Sequence, residues 1–210
     1  VMVAVNMGAE AIMDLSSHGN TQPFRRKLTS ECPAMIGTVP VYDSVIHYQR
    51  DLATLTAKDF IDVVRLHAED GVDFVTLHCG ITRKTIEQIK KHKRKMNIVS
   101  RGGSLVFAWM CMTGEENPFY EYYDEILDIC REYDVTISLG DACRPGCLAD
   151  GSDDHVTHAA GAAERAAQHA EAHDFLCAGV IGNLQTSLRL NHFFFLLFWL
   201  IGLLRLFDDL

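Results

Sequence analysis

The chain has 210 residues, 48% of them hydrophobic, which is enough for one domain with a sizeable core. Its formal net charge of −9 argues against nucleic acid or an anionic membrane as the main partner. Its seven cysteines are odd in number and include no CxxC pair, so we expect reduced thiols and a cytoplasmic location rather than a disulfide framework.

Five short runs pass from apolar to polar residues, and we predict each of them to be a buried parallel strand. They lie near residues 12–15, 36–40, 73–78, 97–100 and 135–140. Such strands present polar side chains at their carboxyl ends, where parallel sheets bind ligands. The last run is the most informative because it continues into an acid, an arginine and a Pro-Gly turn at residues 141–146. This pattern is typical of an enzyme.

Helical patterns separate these runs. The chain begins at Val1 within one of these helical patterns, and no signal peptide precedes the first strand. We therefore expect the natural N-terminus to be missing. Thr56 and Asp59 predict a capping box for a helix that stops at Asp70. Its apolar side carries Phe60, Ile61, Val63, Val64 and His67. Apolar residues at steps of three and four predict a second amphipathic helix over residues 118–133.

The alternation of strands and helices predicts right-handed βαβ units and an α/β fold. A (β/α)₈ TIM-type barrel is favoured over a doubly wound sheet because no GxGxxG loop follows the first strand. In addition, polar residues end at least four successive strands rather than clustering at one switch point. The pattern fails after five or six strands, so we expect an incomplete barrel.

Six linked motifs at these strand ends resemble, in order and spacing, the ThiC family. They are IMDLS at 12–16, GTVPVY at 37–42, TLHCG at 76–80, VSRGG at 99–103, ENPFYE at 116–121, and LGD with RPG between 139 and 146. The resemblance extends from about Gly8 to Asp153. It implies a fragment of a radical S-adenosylmethionine (SAM) lyase that rearranges aminoimidazole ribotide into the pyrimidine of thiamine. The sister enzyme, 5-hydroxybenzimidazole synthase, makes the lower base of cobamides from the same ribotide and is the alternative.

The resemblance also implies which residues bind the ribotide. They are Met13, Tyr42, His78, Ser100, Arg101, Gly102, Asp141, Ala142, Cys143 and Arg144. The guanidinium groups of Arg101 and Arg144 suit a phosphate, and Gly102 lets backbone N–H groups approach an anion. Asp141 can accept hydrogen bonds from ribose hydroxyls or an amino group, and His78 can donate one or relay a proton.

Structural roles remain open for several of these residues. A histidine at a strand end is often a hydrogen-bonded structural residue, which is the alternative for His78. Arg144 could simply pair with Asp141. Packing in the core explains Met13 and Tyr42 almost as well as a place in the pocket.

The chain departs from the family pattern directly after the acid. Residues 142–144 are Ala-Cys-Arg where the family has Gly-Leu-Arg, which hints at the benzimidazole product. Cys143 and Cys147 are separated by three residues that include Pro-Gly, and this spacing does not match common thiolate metal sites. We therefore predict no metal ligand here.

A larger departure follows Asp153, so we divide the chain into a barrel part (1–153), a displaced family segment (154–183) and an apolar tail (184–210). The resemblance implies a [4Fe–4S] cluster, SAM and a zinc or iron ion in the full-length family, which is expected to be a homodimer. The motifs that hold these groups, including the CxxCxxxxC of the cluster, have no counterpart in the sequence. We expect this chain alone to be inactive.

The tail is open to three interpretations. It is a segment read out of frame or foreign to the gene, a substitute helix over the barrel edge, or a membrane anchor, although its apolar run is short for a span. Two function classes besides the enzyme remain: a catalytically dead ribotide-binding module and an interaction protein that uses the tail. The ionic groups at the strand ends favour the binding module.

Overall fold

The computed structural model describes residues 1–91, 93–150, 162, 165, 166, 168, 169 and 177–179. The helices are α1 (Met2–Asn6), α2 (Gln22–Glu31), α3 (Pro40–Tyr48), α4 (Ala57–Glu69), α5 (Arg83–Lys91), α6 (Arg101–Thr113), α7 (Pro118–Glu121) and α8 (Tyr123–Tyr133). The strands are β1 (Ala11–Asp14), β2 (Met35–Thr38), β3 (Phe74–Leu77), β4 (Thr136–Leu139) and β5 (Cys177–Gly179). Two short 3₁₀ helices span Leu52–Thr54 and Leu148–Asp150.

The five strands form one parallel sheet, and the predicted α/β class is confirmed. Their spatial order is the order of the chain, from β1 to β5, without a reversal. A doubly wound sheet would reverse its strand order at a switch point, which this sheet does not do. Because all the strands point the same way, the residues that follow them meet at one edge of the sheet. Four of the strands lie where the sequence predicted them.

The prediction of a strand at residues 97–100 was wrong. This segment has no strand conformation, and β3 pairs directly with β4, which leaves no place for another strand between them. Asn97 has a left-handed φ of 52°, which breaks an extended run. Ser100 instead caps α6, because its hydroxyl accepts a hydrogen bond from the Gly103 N–H at 3.2 Å. The strand β5, by contrast, was not predicted.

The helix after Thr56 agrees closely with the prediction. Thr56 Oγ1 accepts a hydrogen bond from the Asp59 N–H, and the Asp59 carboxylate accepts one from the Thr56 N–H, so both halves of the capping box are present. Phe60 and Val64 on its inner face are fully buried. The second predicted helix is interrupted at Tyr122, whose φ of −103° and ψ of 34° leave the helical region, so α7 and α8 are separate. The predicted steps of three and four are nevertheless buried, namely Phe119, Tyr123, Ile126, Leu127 and Cys130.

A buried ion-pair network joins α2, α3 and α4, and the sequence analysis did not find it. The Arg25 guanidinium donates to the Asp43 and Asp70 carboxylates at 2.7 Å each, and its side chain is only 1% exposed. His67 donates from Nε2 to Asp43 at 3.0 Å and accepts from the Thr38 hydroxyl at 2.8 Å. The network therefore ties three helices to the end of β2.

The predicted tail (184–210) and most of the segment 154–183 lie outside the described residues. In the part of the chain that the structure does describe, no helix is long and apolar enough to cross a membrane.

Candidate functional site

A cavity of about 460 Å³ lies at the carboxyl edge of the sheet. Residues from the strand ends and the segments that follow them line it. They are Met13, Leu15, Val39, Tyr42, Thr76, His78, Ser100, Ser138, Gly140, Asp141 and Arg144. Six of the ten predicted site residues are in this set, so the topology brings together side chains that lie up to 131 positions apart, from residue 13 to residue 144.

His78 follows β3 directly and is almost fully buried in the cavity wall. Burial, helped by the nearby positive charge of Arg144, lowers its pKa to about 4, so the imidazole is neutral at neutral pH. Its Nδ1 has no hydrogen-bond partner in the described structure. A Cβ at Gly102 would collide with the ring, so the glycine is required for α6 to pack against His78. The neutral ring therefore offers an unused hydrogen-bonding atom.

Asp141 and Thr76 present two further unused atoms. The Asp141 Oδ1 accepts a hydrogen bond from the Cys143 N–H at 3.2 Å, whereas its Oδ2 is buried and has no partner in the described structure. Burial raises the pKa of this carboxyl, although Arg144 and Arg94 act in the opposite direction. The Thr76 hydroxyl is also buried and has no hydrogen-bond partner among the described residues. Because unsatisfied buried polar groups are costly, three of them in the wall of one cavity indicate a place for a polar ligand.

Two arginines stand at the rim of the cavity. The Arg101 guanidinium lies 4.3 Å above the ring of Tyr42 and donates to the Ser17 hydroxyl at 3.1 Å. Arg144 is exposed and donates to the backbone carbonyl of Asp141 at 3.0 Å. The alternative that Arg144 merely pairs with the Asp141 carboxylate is therefore not what the structure shows. Within the part of the chain that the structure describes, each guanidinium group uses one N–H donor in these bonds, and the others are available for an anion.

The start of α6 reaches the cavity through Ser100. A helix begins with backbone N–H groups that lack intrahelical partners and with the positive end of its dipole, so it favours an anion. Gly103 packs so closely that a Cβ there would overlap the backbone of Ala142. The two glycines thus serve the close packing of this helix against the strand-end loops.

Four of the predicted site residues do not line the cavity. Arg101 acts at the rim through Tyr42, and Gly102 lies behind His78. Ala142 and Cys143 are buried behind the wall, so their contribution is to the backbone geometry around the acid. Met13 and Tyr42 do line it: Met13 is 39% exposed, which does not fit the alternative of a core residue.

Five lining residues were missed by the sequence analysis, among them Thr76 and Ser138. Both lie two residues before a lining residue, Thr76 before His78 and Ser138 before Gly140. Alternate residues of a strand share a face, so period-two alternation from the predicted His78 could have found Thr76.

A [4Fe–4S] cluster, which the resemblance implies for the full-length family, needs several thiolates close together. Among the described residues, no group of three His, Cys, Asp or Glu side chains could hold a metal ion. Cys147 is the donor of a hydrogen bond to Asp150. The thiols that the structure describes therefore do not fit such a cluster.

Comparison with known proteins shows one consistent family. The model of the radical SAM ThiC family matches residues 1–177. The phosphomethylpyrimidine synthases of Clostridium novyi and Alkaliphilus oremlandii are each 61% identical over 153 residues, and that of Clostridioides difficile is 57% identical over the same length. These matches cover 73% of this chain and 35% of each relative. The chain thus spans about a third of the length of these relatives.

Proposed function

This chain belongs to the radical SAM ThiC family, and we propose that it is the substrate-binding part of a phosphomethylpyrimidine synthase of thiamine biosynthesis. The proposed ligand is aminoimidazole ribotide. One observation carries the proposal: His78, Asp141 and Thr76 line one cavity that two arginines border, and each has a buried polar atom without a hydrogen-bond partner among the described residues.

The chemical groups of the ribotide suit the charged and polar groups around this cavity. A phosphate carries two negative charges, and the guanidinium groups of Arg101 and Arg144 with the start of α6 supply the matching positive potential. The amino group and ring nitrogen of the base offer a donor and an acceptor. These complement the Asp141 carboxyl group and the neutral imidazole of His78, which both line the cavity.

We also propose that the five parallel strands are an arc of an incomplete (β/α)₈ barrel. Support comes from the consecutive strand order and from the position of the cavity at the carboxyl ends, where barrels place their ligands.

We prefer thiamine synthesis over cobamide synthesis because the residues that hinted at cobamides, Ala142 and Cys143, do not line the cavity. The change at these positions was the hint towards 5-hydroxybenzimidazole synthase. Both residues are buried behind the cavity wall and do not contact its interior, so they offer no reason for a different product.

The first prediction concerns the phosphate. Arg144→Ala and Arg101→Ala are each expected to weaken ribotide binding by about 1.5–3 kcal/mol, because each removes a charged hydrogen bond to the phosphate. Isothermal titration calorimetry of the 210-residue chain measures this. The dephosphorylated riboside is expected to bind all three proteins equally, since it lacks the group that the arginines contact.

Arg131→Ala is the matched control for this experiment. Arg131 is an exposed arginine of α8 that bonds Asp128 on the same helix, so its loss should leave ribotide affinity unchanged. Equal affinity of the wild-type chain and both rim variants for the ribotide would contradict the phosphate assignment. A wild-type chain that shows no saturable binding would contradict the proposed function itself.

The second prediction is that the 210-residue chain does not cleave SAM. The radical SAM family implies a [4Fe–4S] cluster and SAM in the full-length protein. The cysteines among the described residues form no group that could hold a metal ion, and the sequence has no CxxCxxxxC motif. Anaerobic reconstitution with iron, sulfide and a reductant is expected to yield no 5′-deoxyadenosine. A full-length relative treated in parallel is the positive control. Ribotide-dependent formation of 5′-deoxyadenosine by this chain would contradict the prediction.

A further inference from the structure

Asn117 occupies a fully buried position between α7 and the turn that follows β3. Its Nδ2 donates two hydrogen bonds of 2.8 Å, one to the backbone carbonyl of His78 and one to that of Ile81. Its Oδ1 accepts a hydrogen bond from the Phe119 N–H at 3.0 Å. Both protons of the amide and its oxygen are thus used, and they join the start of α7 to the segment that carries His78.

The anchor itself is rigid. Pro118 occupies the first turn of α7, where its fixed φ favours the helical start. Phe119 is fully buried and packs edge to face on Phe60 of α4 at 5.9 Å. Asn117 is therefore held by the core on one side and holds the turn 78–81 on the other.

Capping alone does not explain an asparagine at this position. A helix cap needs only a side-chain acceptor, which serine, threonine and aspartate supply equally well. Only an amide adds two donors to that acceptor in a side chain of this size. Asn117 therefore differs from other capping residues in the two hydrogen bonds that its Nδ2 donates to the carbonyl groups of His78 and Ile81.

The backbone anchor matters because Nδ1 of the imidazole has no hydrogen-bond partner among the described residues. His78 packs against Gly102 and Gly140, and contacts with glycines limit its position without hydrogen bonds. A displacement of the turn 78–81 would move the ring within the cavity directly. The position of the imidazole in the cavity therefore depends largely on the backbone of the turn 78–81.

We propose that Asn117 is a positioning residue, which fixes the His78 imidazole in the ligand cavity by clamping the carbonyl groups on either side of the turn after β3. The consequence for ribotide affinity rests on the proposed function. The effect on His78 itself does not depend on any ligand.

Two variants test this, and both retain the cap. Asn117→Asp keeps an acceptor for Phe119 but turns a carboxylate oxygen towards two carbonyl oxygens, which repels the turn. Asn117→Ser keeps the cap without that repulsion and replaces the two amide donors by a single hydroxyl donor on a shorter side chain. It therefore stays informative where the aspartate variant does not fold. In each, the His78 NMR titration midpoint is expected to move from about 4 towards 6.5, since water reaches the displaced ring. Ribotide affinity is expected to fall roughly tenfold or more.

Trp109→Phe is the matched control for a merely structural effect. Trp109 is fully buried, and its indole N–H donates to the Leu55 carbonyl at 2.9 Å, so the variant also loses a buried hydrogen bond. Its side chain does not line the cavity. We expect a lower melting temperature with unchanged His78 titration and unchanged ribotide affinity.

The outcomes separate the two proposals. An unchanged His78 titration in both Asn117 variants overturns the positioning role, and so does an equal shift in Trp109→Phe. If the wild-type chain binds no ribotide while the His78 titration still moves in the Asn117 variants, the proposed function fails and the positioning role stands.

Discussion

Replacement of Arg25 by methionine is expected to lower the free energy of unfolding by about 3–5 kcal/mol, because it leaves buried carboxylates without their main partner. The Arg25 guanidinium bonds both Asp43 and Asp70, and all three side chains are at most 6% exposed. Asp43 depends on this environment: burial alone would raise its pKa, yet hydrogen bonds from His67, Thr21 and Arg25 hold that pKa well below its usual range. Urea denaturation at neutral pH measures the loss.

Arg26→Met provides the matched control. Arg26 also bonds Asp70, at 2.6 Å, but its side chain is 62% exposed, so solvent screens the interaction. Its loss is expected to cost no more than about 1 kcal/mol. Similar losses for the two variants would show that burial does not govern the strength of this network, and the argument from desolvation would be wrong.

The network also matters for the site. Asp43 directly follows Tyr42, which lines the cavity and supports the Arg101 guanidinium. By holding Asp43, Arg25 and His67 fix the start of α3 against the end of β2. The same buried charges that stabilise the fold therefore orient one wall of the cavity.

Local patterns were sufficient where side chains alone decide the structure. The capping box at Thr56 and the apolar side of α4 needed only neighbouring residues, and both are present as predicted. The segment 97–100 shows the limit. A run of apolar residues followed by serine and glycine fits the end of a strand as well as the residues before a helix. Only the direct pairing of β3 with β4 decides that this segment leads into α6 and is not a strand.

The sequence pattern did not predict polar contacts between residues that are far apart in the chain. His67 was placed on the apolar side of α4, but nothing in the sequence indicated that Asp43 and Thr38 would meet its ring. The cavity residues were predicted mainly by family resemblance, with strand ends as the physical reason. The role of Asn117 was missed because its partners are backbone carbonyl groups. Every residue has such a group, so the residue types in the sequence do not indicate this contact.

Stability is expected to fall as the pH drops from about 7 to about 4, by up to about 3 kcal/mol through His78 alone. Burial lowers the pKa of His78 from 6.5 to about 4, and burial also lowers the pKa of His67. In this interval the unfolded chain binds protons that the folded chain excludes. The stabilisation is therefore fully present above pH 6.5 and is lost as the pH falls towards the folded-state pKa. Urea denaturation at several pH values measures the slope.

His78→Gln is expected to reduce this slope, because glutamine does not titrate and both states then bind the same number of protons at this position. Asp141, whose pKa is raised by burial, contributes with the opposite sign, but it is present in both proteins and cancels in the comparison. His47→Gln removes one exposed imidazole and controls for the number of histidines. An unchanged slope in His78→Gln would mean that the pKa of His78 is the same in the folded and the unfolded protein, so that burial does not lower it.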